Sequence, residues 1–97
     1  MVLHTLNTAP DHPAFSHCLR LLAGGDALLL HGDGVYAAIT GAPALEALCQ
    51  AGAELHVLAP DARAAGVLER LDPRVQAVDY AGFVALSERF SRQQAWY

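Results

Sequence analysis

The sequence predicts an α/β fold, a small parallel β-sheet with helices on both faces, formed by one domain that spans residues 1–97. Strand-like and helix-like segments alternate along the chain, which is the pattern of a parallel sheet whose strands are joined by crossover helices. Residues 26–31 contain the continuous apolar run Ala27–Leu30 and are bounded by turn residues, as expected of a strand that is buried on both faces. A chain of 97 residues can form one hydrophobic core and leaves no room for a second domain.

The first two elements follow from local signals. A short strand is predicted at residues 2–6, and the helix after it has Asp11 as a suitable cap and Pro13 in its first turn. Gly24 and Gly25 end this helix. Its apolar side chains recur at intervals of three and four residues, which places them on one face: Phe15, Cys18, Leu19 and Leu22.

The rest of the chain continues the alternation after the strand at residues 26–31. The predicted elements are, in order, a short helix at 35–39, a helix at 44–51, a strand at 54–58, a helix at 62–65 capped by Asp61, a turn or short helix at 67–71, a strand at 75–78, an amphipathic helix at 80–90 through Phe83, Val84, Leu86 and Phe90, and a short final strand at 94–97.

The composition predicts a subunit of a larger assembly. Hydrophobic residues make up 54% of the chain and charged residues 16%, against roughly 25% charged in a typical soluble domain. Because a small domain has a high ratio of surface to volume, its core cannot hold all of this apolar surface. The surplus indicates a contact with other subunits, and Trp96 and Tyr97 are the candidates for part of it.

The charges exclude several functions. The net charge is −4, and all six basic residues are arginines. Without a basic stripe, direct nucleic-acid binding is not expected, and without lysine neither a Schiff base nor a Walker-type phosphate site can form. No apolar run is long enough to cross a membrane and no secretory signal is recognisable, so a cytoplasmic protein is predicted with Cys18 and Cys49 as free thiols.

The turn Gly32-Asp33-Gly34, followed by Ala37, has nearly the glycine spacing of a dinucleotide-binding motif. Asp33 would place a carboxylate beside the pyrophosphate, where it is repelled. Glu54 follows the glycine turn by about the number of residues expected for a ribose-binding carboxylate. It begins its strand, however, and so lies at the wrong edge of the sheet. We therefore interpret the glycines as allowing a tight reversal and close helix packing, and we predict no cofactor.

The five histidines have no spacing typical of metal ligands, so no metal site is predicted. His31 and His56 end apolar strands, where hydrogen-bonded structural histidines are expected.

Cys18 is the candidate for thiol chemistry. It lies on the apolar face of the first helix, where a buried cysteine behaves as a small hydrophobic residue and burial raises its pKa. His17 precedes it, but neighbouring helical residues point in different directions. The residues alone leave both interpretations open, an inert core thiol and a reactive one.

Segments spread over nearly the whole chain resemble the TusB/DsrH family of sulfur-relay proteins. They are LHTLN at residues 3–7 with Pro10, CLRLL at 18–22 followed by GDALLL at 25–30, DGVYAA at 33–38, VDYAGFV at 78–84 and QAW at 94–96. Each segment is weakly specific by itself, but together, in this order, they are specific.

The resemblance implies a DsrE-like fold, a three-layer sandwich, within a heterohexamer that also contains TusC-like and TusD-like homologous subunits. Such complexes exchange persulfide sulfur with other sulfur-carrier proteins. The principal acceptor cysteine of the family lies on the TusD/DsrE-type subunit. DsrH-type members carry a further cysteine in the first helix, and Cys18 matches it, which makes Cys18 the candidate catalytic residue of this chain.

The function predicted from the resemblance is a subunit of a TusBCD-like sulfurtransferase complex that serves 2-thiouridine formation at the tRNA wobble position. One alternative is a DsrH-like subunit of a dissimilatory sulfur-oxidation complex. Another, from a different class, is a stand-alone small-molecule-binding module that uses the Gly32–Gly34 edge, although the apolar surplus argues against a monomer.

Overall fold

A computed structural model describes residues 1–97 and has a five-stranded sheet in which every neighbouring pair of strands is parallel. The strands are β1 Leu3–Leu6, β2 Ala27–Leu30, β3 Glu54–Leu58, β4 Gln76–Val78 and β5 Gln93–Trp96, and their order across the sheet is β4-β3-β2-β1-β5. The α-helices are α1 Pro13–Leu21, α2 Leu45–Gln50, α3 Ala59–Ala64 and α4 Tyr80–Glu88. Two 3₁₀ helices, Gly32–Ala38 and Leu68–Arg70, complete the fold.

The predicted fold class is confirmed, because helices pack on both faces of a parallel sheet. All four residues of β2 are buried. The sheet separates a larger hydrophobic core from a smaller one. Leu28 and Leu30 face the larger core, together with residues of α1 and α2. Ala27 and Leu29 face the smaller core, which lies beneath α4. The apolar run of β2 is therefore the layer between two hydrophobic cores, as its sequence predicts.

Two predicted caps are wrong. The first helix is capped by His12, whose Nδ1 accepts a hydrogen bond from the Ala14 amide at 3.1 Å, and Asp11 makes no such contact. α3 begins at Ala59 with Pro60 in its first turn, so Asp61 lies inside the helix instead of before it. Proline at the start of a helix loses no hydrogen bond, which allows α3 to begin directly after β3.

The glycine turn also differs from the prediction of a short helix at residues 35–39. A 3₁₀ helix starts three residues earlier, at Gly32, and ends at Ala38. Four of its residues are buried between the sheet and the rest of the larger core, Gly34, Val35, Ala37 and Ala38.

The prediction of an amphipathic final helix is wrong. α4 is capped by Asp79, whose carboxylate accepts a hydrogen bond from the Gly82 amide at 2.7 Å, and it places Leu86 in the smaller core. Val84, which was expected on the buried face, is 56% exposed, and Tyr80 is 60% exposed. The final strand is confirmed: β5 runs parallel to β1 and pairs Trp96 with Leu6.

Candidate functional site

Cys18 lies in the middle of α1 and faces the larger core. Its side chain has 0% exposure and packs in the same cluster as Phe15 and Leu22. Burial raises the pKa of the thiol from its ordinary value of 9.0 to about 12. The thiolate is the form of cysteine that reacts, so Cys18 is unreactive at neutral pH in this conformation.

The polar neighbours of Cys18 in the sequence do not approach its thiol. His17 and Arg20 are both exposed, on the solvent side of α1, and neither donates a hydrogen bond to the sulfur. Desolvation is accordingly the only influence on the Cys18 pKa. A positive charge would have to come from outside this chain to favour the thiolate.

Cys49, the second free thiol, is partly exposed on α2. It lies near Arg74, whose pKa is raised by hydrogen bonds to Asp72 and Glu46. The Arg74 guanidinium donates to Glu46 at 2.7 Å and to Asp72 at 3.0 Å. Sequence reasoning passed over this group because 25 positions separate Cys49 from Arg74.

The glycine turn is held between α3 and the end of β1. The Gly32 amide donates to the Asp61 carboxylate at 2.7 Å, so the amide that would face a phosphate is already bonded within the chain. A Cβ atom on Gly34 would lie 2.5 Å from the carbonyl oxygen of Leu6, closer than two such atoms can approach. Gly34 therefore allows the 3₁₀ helix Gly32–Ala38 to pack closely on β1, as the sequence predicts.

A buried polar network links the two ends of the chain. The Asp26 carboxylate accepts hydrogen bonds from the amides of Val2 at 2.8 Å and Ala23 at 3.1 Å, and its Oδ2 lies 3.2 Å from His4 Nε2. The Trp96 indole donates to His4 Nδ1 at 3.1 Å. Since an indole can only donate, His4 accepts at Nδ1 and donates from Nε2 to Asp26.

The network fixes both the charge of Asp26 and the position of β5. Burial by itself would raise the pKa of Asp26, but the hydrogen bonds from Val2, His4 and Ala23 outweigh it and lower the pKa. Trp96 is half-buried against the larger core, so it belongs to the fold of this chain. Of the two aromatic residues at this end, only Tyr97 is freely exposed. Sequence reasoning missed the network, although a carboxylate at the start of a buried run is a signal that partners are required.

The prediction of hydrogen-bonded histidines at the strand ends is wrong: neither ring is hydrogen-bonded, and His56 lies in the middle of β3 and not at its end. His56 is 6% exposed and neither of its ring nitrogens has a hydrogen-bond partner; the nearest carboxylate oxygen, on Glu54, is 3.7 Å away. His31 is half-buried and its ring makes no hydrogen bond either. Burial lowers the pKa of both histidines, so both rings are neutral near pH 7.

No three histidine, cysteine or acidic side chains converge as metal ligands. None of the helices has the length and apolar character needed to cross a membrane.

Comparison with known families gives a match over most of the chain. The family model described as "DsrH like protein" matches residues 8–93. Proteins named TusB are similar over 98% of this chain and 100% of their own length: 46% identical in Erwinia tasmaniensis, 39% in Pectobacterium parmentieri and 41% in Escherichia coli.

Among solved structures, the fold is similar to the solution NMR structure of protein Tm0979 from Thermotoga maritima. The TM-score is 0.70 at 23% sequence identity, and the match covers 92% of this chain and 93% of the other. At this identity the likeness shows a shared fold.

Proposed function

The chain belongs to the DsrH family, and from that premise we propose that it is a subunit of a sulfur-relay complex acting in tRNA modification. The observation that carries the proposal is the similarity over the full length to proteins named TusB, at 39–46% identity. The complex would be a heterohexamer with TusC-like and TusD-like subunits in the cytoplasm, and its sulfur would serve 2-thiolation of the wobble uridine.

Sulfur transfer requires an accessible thiolate. An acceptor thiolate attacks the outer sulfur of a donor persulfide, the S–S bond of the donor breaks, and the donor cysteine leaves as a thiolate. Cys18 has 0% exposure and a pKa raised to about 12, so it does not meet this requirement in the present conformation. This supports placing the principal acceptor cysteine on the TusD-like subunit, with Cys18 in a secondary role.

The exposed apolar residues support the role of a subunit. Six large hydrophobic side chains are exposed: Met1, Leu21, Tyr36, Tyr80, Val84 and Tyr97. Tyr80 and Val84 both belong to α4, whose residues are apolar or glycine except for Ser87 and Glu88 in its last turn. A helix with so little polar surface is normally covered by other protein. We propose that the outer face of α4, together with Tyr97, contacts the homologous subunits.

A second function, within the same class, is favoured by one residue. Cys18 matches the additional cysteine that the resemblance assigns to DsrH-type subunits of dissimilatory sulfur oxidation. In that role Cys18 would carry a persulfide itself, and α1 would have to open to admit the donor.

The experiment is reconstitution of the complex with its TusC-like and TusD-like partners, followed by native mass spectrometry and transfer of radiolabelled sulfur from a cysteine desulfurase. We expect Cys18→Ala to leave the assembly intact and to reduce transfer only modestly, because the buried thiol is not an accessible acceptor. Removal of the acceptor cysteine on the TusD-like subunit should abolish transfer. Cys49→Ala is the matched control for the loss of a thiol from this chain.

Two results would contradict the proposal. A chain that stays monomeric in the presence of both partners is not a subunit of this complex. Complete loss of transfer on Cys18→Ala, with the assembly preserved, would make Cys18 an obligatory carrier and favour the sulfur-oxidation role.

A further inference from the structure

A cleft of about 430 Å³ lies between the C-terminal end of α3 and the 3₁₀ helix Leu68–Arg70. Its lining residues are Arg63, Gly66, Leu68, Glu69 and Arg70. The cleft includes neither cysteine and no residue of the glycine turn, so it is separate from every feature discussed for sulfur transfer.

The cleft holds two guanidinium groups that are unpaired in this chain. Arg63 and Arg70 are both exposed and take part in no ion pair, whereas Arg74 and Arg89 bond to carboxylates. Glu69 is the one carboxylate of the lining, and it forms an ion pair with neither arginine. The cleft therefore has a local excess of positive charge in a chain whose net charge is −4.

Backbone hydrogen bonds fix both walls of the cleft. On the α3 side, the Gly66 amide donates to the Arg63 carbonyl and the Val67 amide to the Ala62 carbonyl, each at 3.0 Å. On the other side, the Arg70 amide donates to Val67 at 2.9 Å, and the Arg70 carbonyl accepts from the Thr40 amide at 3.0 Å. Val67, between the walls, is 3% exposed and anchors both to the core, so the cleft exists before any ligand binds.

We propose that this cleft is a docking site for an acidic segment of another protein. A guanidinium presents paired N–H donors that match a carboxylate, and two of them on a fixed frame can hold two acidic side chains. Leu68 lies between the two arginines in the sequence and is half-buried. Its side chain offers an apolar contact for the methylene groups of glutamate.

The surroundings favour a protein ligand over RNA. Tight binding of a nucleic-acid backbone requires cations along several consecutive phosphates. Next to the cleft, the neighbouring surface of α3 forms a second depression lined by Asp33 and Asp61 together with Ala64 and Ala65. These carboxylates would repel any polyanion that continued beyond the two arginines, an extended acidic run as well as a phosphate backbone. A protein segment can place one or two acidic side chains on the arginines and continue with neutral residues, whereas a nucleic acid cannot.

The test is an NMR titration of the ¹⁵N-labelled full-length chain at low ionic strength with a capped hexapeptide that has two adjacent glutamates between glycines and serines, the diglutamate peptide. The matching diglutamine peptide is the uncharged control. We expect saturable shifts of the Arg63 and Arg70 Nε–Hε signals, and binding weakened about five- to tenfold by Arg63→Gln or Arg70→Gln. Arg20→Gln and Arg92→Gln are matched controls, since both are exposed arginines without an ion pair, and should change affinity less than about twofold. Glu69→Gln should strengthen binding about two- to threefold because it removes a like charge from the lining.

Three outcomes would overturn the proposal. If the controls at Arg20 and Arg92 weaken binding as much as the cleft variants do, the peptide binds by net charge alone. If inorganic phosphate produces the same shifts at the same concentration, the cleft is a site for adventitious anions only. If an oligouridylate binds the cleft more tightly than the diglutamate peptide does, the partner is a nucleic acid and not a protein.

Discussion

Asp26 shows how a carboxylate is accommodated beside a hydrophobic core. It is 6% exposed, and both of its oxygens are occupied by donors from Val2, Ala23 and His4. A buried charge is stable only when such donors replace the water it has lost. The same donors lower its pKa, so Asp26 remains ionised and ties β1, β2 and, through His4, Trp96 of β5 together.

Asp26→Asn is expected to destabilise the fold by about 2–4 kcal/mol, because an amide nitrogen would face donors that now bind Oδ2. The pKa of Asp26 is lowered below 3.8 on folding, so its contribution to stability is present above that pH and is lost as the pH falls through the folded value. Urea unfolding at several pH values measures both effects, and the acid limb should be shallower in the variant than in the wild type.

Asp11→Asn is the control for this prediction, since Asp11 is exposed and makes no hydrogen bond. If Asp26→Asn and Asp11→Asn have equal stabilities, the network around His4 does not stabilise the chain.

The 3₁₀ helix Gly32–Ala38 shows how one element is defined by its contact with another. Gly34 lies against the Leu6 carbonyl at the end of β1, and the helix continues with three buried residues of the larger core. The close approach, not an unusual backbone angle, requires glycine at position 34, because its φ is not positive. Gly32, in contrast, has a φ of 51°, which favours glycine by conformation.

Gly34→Ala is therefore expected to lower the free energy of unfolding by about 2–3 kcal/mol, because the added methyl group would displace the backbone at the end of β1. Gly24→Ala is the matched control: its φ is not positive either, and a Cβ there would meet nothing within 4 Å. Thermal and urea unfolding of both variants measure the difference. Equal stability of the two variants would mean that the end of β1 shifts to accommodate the methyl group with no loss of free energy of unfolding.

At the scale of the whole molecule, the helices are distributed unevenly over the sheet. The larger core contains side chains of α1, α2, α3 and the first 3₁₀ helix, whereas α4 alone contributes helix residues to the smaller core. α4 also has the exposed Tyr80 and Val84 on its other side. The fold of the isolated chain thus leaves an apolar helix at the surface, which fits the proposed contact with other subunits.

Val84→Glu is expected to disrupt assembly with the TusC-like and TusD-like subunits while leaving the chain folded, because the side chain is 56% exposed and contributes little to the core. Native mass spectrometry of the co-expressed subunits measures assembly, and circular dichroism of the variant measures folding. Leu21→Glu is the control, since Leu21 is a similarly exposed apolar residue, 61%, on α1. Dissociation by Leu21→Glu but not by Val84→Glu would place the interface on the opposite face of the sheet.

The sequence by itself determined the fold class, the order of the elements and the family. These depend on patterns within single segments, such as the apolar run of β2 or the spacing of Phe15, Cys18 and Leu22 in α1. Such patterns do not depend on the tertiary context, because a helix or a strand that buries one face repeats its apolar residues with the same period in every fold. The sequence also placed Cys18 on the apolar face of the first helix, but it left open whether the thiol is an inert core residue or a reactive one.

Only the tertiary structure decided which polar groups meet. Trp96 bonds to His4 across 92 positions of the chain, and Asp61 bonds to the Gly32 amide across 29. The same cause explains the wrong caps, because Asp61 is used by another segment and Asp11 is not used at all. Contacts of this kind depend on how strands and helices pack together, and no periodicity in the sequence encodes the distance between residues so far apart.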